Sequence, residues 1–367
     1  METLTVRPSE VQPIVLRAIK VKRPIFIWGA PGIGKSELVE SIAHEMLEGN
    51  NHLIDMRLAL MEPTDLRGYP FRNPETNTME WAPAADLPTE EMAKEFDNII
   101  LFMDELNSAP PSVQAAAYQL ILNRRVGQYV LPDNVNIVAA GNRETDRGVT
   151  FRMPAPLANR FRHVNMEVNF EDWQKWATVN RVHPDVVGYL TFAKQDLFQF
   201  DAKTSSQAFA TPRSWTYVSE SLYLDDFETA SSKEQKAEVA GSIGEGMAIK
   251  FLEHRKIASK LPDPTSVIDG SVKELDSKVS KEISAKYSLT VSLAYEMDVI
   301  YKNEDDDAFK KAINNVVRFA YANFEPEMVV FFLRTIMKDY QITFNLRTTL
   351  EKDLQKEFQD KYVKYIA

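Results

Sequence analysis

Residues 24–47 read PIFIWGAPGIGKSELVESIAHEML, an apolar run, a glycine-rich loop and then a helix-forming stretch. The loop Gly29-Ala30-Pro31-Gly32-Ile33-Gly34-Lys35-Ser36 fits the pattern G-x-x-x-x-G-K-[ST], in the strand–loop–helix setting that its chemistry needs. Glycines at 29, 32 and 34 permit a tight turn whose backbone N–H groups converge on an anion. The helix after Gly34 aims its positive dipole end at the same point. Lys35 is then placed to reach β- and γ-phosphates, and the Ser36 hydroxyl to ligate Mg²⁺. These eight residues, with Glu37 just beyond them, are the expected nucleotide contacts.

The pattern around the loop predicts alternating strands and helices. An amphipathic helix is expected over 8–20 and strands over 24–28, 52–60, 98–106 and 135–142, with helices from Gly34 to Leu47 and over 111–125. NIILFMDEL and VNIVAAGN are continuous apolar runs, the pattern of strands buried on both faces of a parallel sheet. Trp28 and Phe102 are ordinary core choices within such strands. The Pro/Gly/Asn-rich stretch 62–88 is long for an α/β connection and therefore a candidate functional insert. From about Phe170 the chain turns helical, with segments 171–196, 212–224, 233–259, 273–303, 307–323 and 326–340 and no further strong strand. LPDPTSVIDG (261–270) reads as a boundary, and Glu304-Asp305-Asp306-Asp307 as a solvated helix start.

Asp104 and Glu105 close the apolar strand at its carboxyl end, where open parallel sheets bind ligands. Asp104 is expected to hold Mg²⁺ through water, and Glu105 to polarise the attacking water as general base. Asn142, at the end of the next strand, can orient that water towards the γ-phosphate.

Taken in order, GAPGIGKS, FMDE, strand-terminal AAGN, LANRF and ATPRSW look like the Walker A, Walker B, sensor 1, arginine-finger and sensor 2 motifs of AAA+ ATPases, over about Pro24 to Trp215. EPTDLRGYP (62–70) followed by MEWAPAADLP (79–88) is similar to the helix-2 insert of the MoxR branch, which includes RavA-like ATPases and relatives of the dynein/midasin type. The resemblance implies an α/β fold: a P-loop AAA+ three-layer domain with a parallel sheet over 1–168, an α-helical lid over 169–262 and a helical C-terminal extension over 263–367. It implies that Arg160 is an arginine finger directed at the γ-phosphate of a neighbouring subunit, with Arg162 as the alternative. It further implies that Arg213 is sensor 2, reaching the same phosphate from the lid. Glu105, Asn142, Arg160 and Arg213 are thus the expected catalytic residues, and ATP and Mg²⁺ the expected cofactors, the metal held through Ser36 and Asp104.

A finger that acts across a boundary requires an oligomer, and the resemblance implies a homo-hexameric ring that remodels a client protein. The insert then offers Tyr69, Phe71 and Trp81 as contacts or as packing residues, with Asp65, Arg67 and Gly68 in structural roles. No D-x-S-x-S metal motif is present, so a von Willebrand A-type partner would be a separate chain. A nucleic-acid motor is the competing expectation, favoured by Arg124, Arg125 and Arg143. The formal net charge of −10 counts against it, since there is no overall basic field to release counterions. A nucleotide-gated scaffold with slow hydrolysis is a third. Zero cysteines exclude disulfides and thiolate metal sites. No apolar run approaches the ~18 residues of a membrane span and the start lacks a signal-peptide core, so a cytoplasmic protein is expected.

Overall fold

A computed structural model describes residues 4–143, 146, 151, 153–200, 207–258, 260–276, 282–303 and 305–362. The chain divides into two compact units, the first ending at Asn169 and the second beginning at Phe170.

The first unit runs β1 (Thr5–Val6), α1 (Pro8–Lys20), β2 (Ile25–Trp28), α2 (Lys35–Ser41), β3 (Asn51–Arg57), α3 (Pro63–Arg67), β4 (Tyr69–Arg72), β5 (Met79–Ala82), α4 (Glu90–Glu95), β6 (Asn98–Asp104), α5 (Pro111–Asn123), β7 (Arg125–Val126), β8 (Tyr129–Val130), β9 (Val135–Gly141), α6 (Ala155–Ala158) and β10 (Arg162–Met166). Six strands form one sheet in the order β1-β10-β2-β9-β6-β3, and every pairing in it is parallel. This is an α/β arrangement around a parallel sheet. All seven residues of β9 are buried, as a strand covered on both faces requires. Pro111 starts α5 with its backbone already near helical φ. Val113, Ala117, Leu120 and Ile121 then bury one stripe of that helix in the core beneath β6 and β9.

Several elements differ from the sequence pattern for identifiable reasons. The strand expected over 52–60 ends at Arg57, because Leu58–Leu60 form a 3₁₀ turn that buries Leu58 in the core. The helix after the loop continues as a π-helical turn over Ile42–Met46. β10 lies between Asn142 and Phe170, where the sequence pattern predicted no strand. Its sequence RHVNM is mostly polar, and it is held by pairing with β2 on one side and β1 on the other. The insert holds α3 and a β4–β5 hairpin, with the Asp65 side chain accepting from the Glu62 N–H at 2.8 Å in a capping box.

The second unit is helical: α7 (Phe170–Val179), α8 (Pro184–Phe192), α9 (Pro212–Leu222), α10 (Asp225–Thr229), α11 (Ser232–Ile243), α12 (Glu245–Ala258), α13 (Pro264–Ile268), α14 (Ile283–Lys302), α15 (Asp306–Asn323), α16 (Pro326–Arg334), α17 (Leu346–Thr349) and α18 (Lys352–Lys361). The segment 233–259 is two helices, broken at Gly244. Asp305 caps α15 by accepting from the Ala308 N–H, so the acidic run is a helix start, with Glu304 outside the described residues. α14 packs along α8, so the stretches expected to form a lid and an extension share one unit. Among the described residues no helix is long and apolar enough to cross a membrane.

Burial holds two imidazoles of this unit, His183 and His254, below the ordinary value of 6.5, against the opposing pull of the Asp185 carboxylate. The unfolded chain therefore takes up these protons first, and the stabilisation present above pH 6.5 is lost as pH falls below it. Urea denaturation of the second unit, followed at pH 7.5 and pH 5, is expected to show the lower midpoint at pH 5.

Candidate nucleotide site

The carboxyl ends of β2, β9 and β6 are adjacent in the sheet, so the glycine-rich loop, Asn142 and Asp104 emerge side by side. Gly34 caps α2 at φ +89°, in the left-handed region that glycine enters without steric cost. Lys35 is only 9% exposed, so its ammonium needs partners. It donates to the carbonyl oxygens of Gly29 and Ala30, both at 2.9 Å, and to Asn142 Oδ1 at 3.1 Å. The Ser36 hydroxyl donates to Asp104 Oδ2 at 2.7 Å, and the other Asp104 oxygen accepts from the Glu105 N–H at 2.8 Å. The loop thus joins the two later strands through its own lysine and serine. Ser36 and Asp104 supply the hard oxygen donors that suit Mg²⁺. Among the described residues no group of three or more histidine or acidic side chains is placed to hold a metal ion.

Glu105 has φ 55° and ψ 31°, a left-handed conformation that costs a non-glycine residue about 1–2 kcal/mol. Such outliers gather at working positions. Its exposed carboxylate has no hydrogen-bond or ion-pair partner among the described residues, and is free to engage a water. Glu37 is exposed in the first turn of α2.

Two further residues shape the site without any motif to signal them. Asn107 is 1% exposed and donates to the Asn142 carbonyl oxygen at 2.7 Å, fixing the backbone that carries the Asn142 side chain. Its Oδ1 lies against Gly141, where an added Cβ would meet it at 2.0 Å and Phe26 Cζ at 2.9 Å. Gly141→Ala is therefore expected to cost about 1–3 kcal/mol of stability, measured by urea denaturation, and to lower turnover by displacing Asn142. Asp55, on β3 beside β6, has its carboxyl held above the usual range by partial burial and then by the Asp104 carboxylate.

The arginines separate into three groups. Arg124 donates to the carbonyl oxygens of Pro132 at 2.6 Å and Val135 at 2.9 Å, and Arg143 to that of Met166 at 2.7 Å, so both stitch their own domain together. Arg213 is exposed in the first turn of α9, in the second unit. Arg160 is exposed in the turn between α6 and β10, and its guanidinium has no partner among the described residues. Arg162 lies in β10 itself, its N–H bonded to the Pro24 carbonyl at 2.9 Å. The register of β10 on β2 pairs Arg162 with Ile25 and Asn165 with Trp28. Arg160 therefore stands beyond the amino-terminal edge of the sheet, whereas the loop leaves β2 at the carboxyl edge. At about 3.3 Å per residue the Ile25–Trp28 strand alone separates the two edges by roughly 10 Å.

A phosphate loop, an acid pair and a strand-end carboxamide on adjacent strands of a parallel sheet define a P-loop nucleotide-binding domain. Residues 24–161 match the family model for the AAA domain of the dynein-related subfamily, and this part of the chain is an AAA+ ATPase domain of that type. ATP hydrolysis is the activity general to the family. The chain is 27% identical over 174 residues to midasin of Giardia intestinalis, a match covering 45% of this chain but only 3% of midasin's length. Among solved structures, a provisionally assigned ATPase of Cytophaga hutchinsonii overlaps with TM-score 0.33 at 11% identity, over 96% of this chain and 88% of that one. A point mutant of RuvB from Thermotoga maritima overlaps with TM-score 0.36 at 15% identity, over 69% and 73%. The assignment rests on the sequence match, not on these partial overlaps.

Proposed function

We propose that this chain is a Mg-ATP-hydrolysing, ring-forming remodeller of the MoxR type, with active sites at the boundaries between copies. The observation that carries the proposal is the position of Arg160, without a partner among the described residues and at the opposite sheet edge from its own phosphate loop. An arginine so placed cannot serve its own site and is available to another copy's.

On nucleotide binding, Lys35 exchanges its internal acceptors for phosphate oxygens, which releases Asn142 to orient a water. Ser36 and Asp104 would hold Mg²⁺. The cation, when bound, neutralises charge on the phosphates. Glu105 takes the proton of the attacking water, and Arg160 of the neighbouring copy, with Arg213 from the chain's own second unit, stabilises charge on the transferring group.

The insert is the proposed client contact. Tyr69 is 60% and Phe71 45% exposed on the β4–β5 hairpin, whereas Trp81 is partly buried with the Arg67 guanidinium 5.8 Å from its ring centre. A hexameric ring, a client protein and a separate von Willebrand A-type partner complete the proposal. Two of the three arginines that would favour a nucleic-acid motor are committed to backbone carbonyls. The test is ATP turnover by the purified chain with and without DNA or RNA, together with sedimentation in the presence of ATP. Assembly with ATP and turnover indifferent to nucleic acid are expected. Stimulation by nucleic acid that collapses with salt would replace the remodeller with a motor.

A further inference from the structure

The loop and Arg160 occupy opposite sheet edges, yet one chain of contacts spans the height between them. Trp28, the last residue before the loop, donates its indole N–H to His163 Nδ1 at 2.9 Å. The other ring nitrogen of His163 lies 2.7 Å from the Ala158 carbonyl oxygen. An indole N–H can only donate, so Nδ1 is the acceptor and Nε2–H donates to Ala158. Ala158 ends α6, two residues before Arg160. Phe161, immediately after Arg160, is 7% exposed and meets the Phe26 ring edge-on at 5.4 Å, while Phe26 stacks on Trp28 at 4.1 Å. Arg160 itself is exposed, but both sides of its turn are anchored to the strand that delivers the phosphate loop.

We propose that His163 is a positioning residue for Arg160, and that through Trp28 it couples the aim of this arginine to the state of the chain's own phosphate loop. The inference rests on reading Arg160 as a finger that serves a neighbouring copy. A rigid ring bonded at both ends transmits small displacements, and a misplacement of about 1 Å in a catalytic group can cost about 10²-fold in rate. A nucleotide that shifts the loop would thereby alter catalysis in the adjacent site without touching it.

His163→Phe keeps a ring and removes both hydrogen bonds, whereas Trp28→Phe keeps an aromatic ring beside Phe26 and removes only the donor. Each is expected to lower kcat about 10–100-fold with KM changed less than about two-fold. The double variant should be no worse than either single one, and His163→Phe should add no loss to Arg160→Ala. His163→Gln, still able to donate to Ala158, should recover part of the turnover. It also carries the test, with Trp28→Phe, should His163→Phe fail to fold.

The deciding experiment mixes variants. Lys35→Ala subunits lack turnover but keep an intact finger, so they should restore ATPase to His163→Phe subunits as they do to Arg160→Ala subunits. Recovery with Arg160→Ala but not with His163→Phe would overturn the relay and leave the finger standing. Recovery with neither would overturn both.

Discussion

Glu105→Gln is expected to reduce ATP turnover about 10²–10⁴-fold, the range that a positioned general base contributes, while nucleotide binding stays within a few-fold of the parent. The substitution is nearly isosteric and exposed, so neither the left-handed backbone at this position nor the Glu105 N–H bond to Asp104 should change. What is lost is the ability to accept a proton. Lys35, which on the proposed reading would hold the phosphates, and Ser36 and Asp104, which would hold the cation, remain in place. Phosphate release measured beside fluorescent-nucleotide binding separates the two effects. Remodelling of a partner that survives Glu105→Gln would favour the nucleotide-gated scaffold over the motor.

Arg160→Ala is expected to cost about 10³-fold or more in kcat, in line with guanidinium fingers of phosphoryl-transfer enzymes. Since this exposed side chain has no hydrogen-bond or ion-pair partner among the described residues of its own chain, its removal should leave the melting temperature nearly unchanged. The loss should also be complementable. Mixed with Lys35→Ala, each inactive alone, Arg160→Ala subunits are expected to regain a fraction of turnover that varies with the mixing ratio. Arg162→Ala makes the comparison decisive. Its backbone is fixed in β10, and a loss as large as that of Arg160→Ala would transfer the finger to the strand.

The parts of the fold written in continuous apolar runs were legible, because a strand buried on both faces has little freedom in composition. β6 and β9 are of this kind, and Asp104 and Asn142, at their carboxyl ends, bond to Ser36 and Lys35. β10 was not legible. Its identity comes from pairing with β2 and β1 rather than from local pattern, and RHVNM carries polar residues on a strand that lies inside the sheet. The same limit hid Asn107, a buried amide whose value lies in one backbone carbonyl 35 positions away. Trp28 read as a core residue, yet it is only partly buried and its indole is bonded to a histidine on a strand that the pattern did not disclose. Arg124 and Arg143 show the converse case. Their charge suggested a nucleic-acid contact, and only the observed hydrogen bonds show them committed to the backbone.

The parallel register that separates Arg160 from the loop of its own copy has a consequence for how much of this protein a cell must make. If Arg160 serves a neighbouring copy as proposed, a lone copy cannot bring it to bear on its own nucleotide. Activity per molecule should then climb with abundance rather than stay constant. Diluting a folded, loaded sample should silence it, and concentrating it should bring it back. Supply of the chain itself would act as a control on when it works.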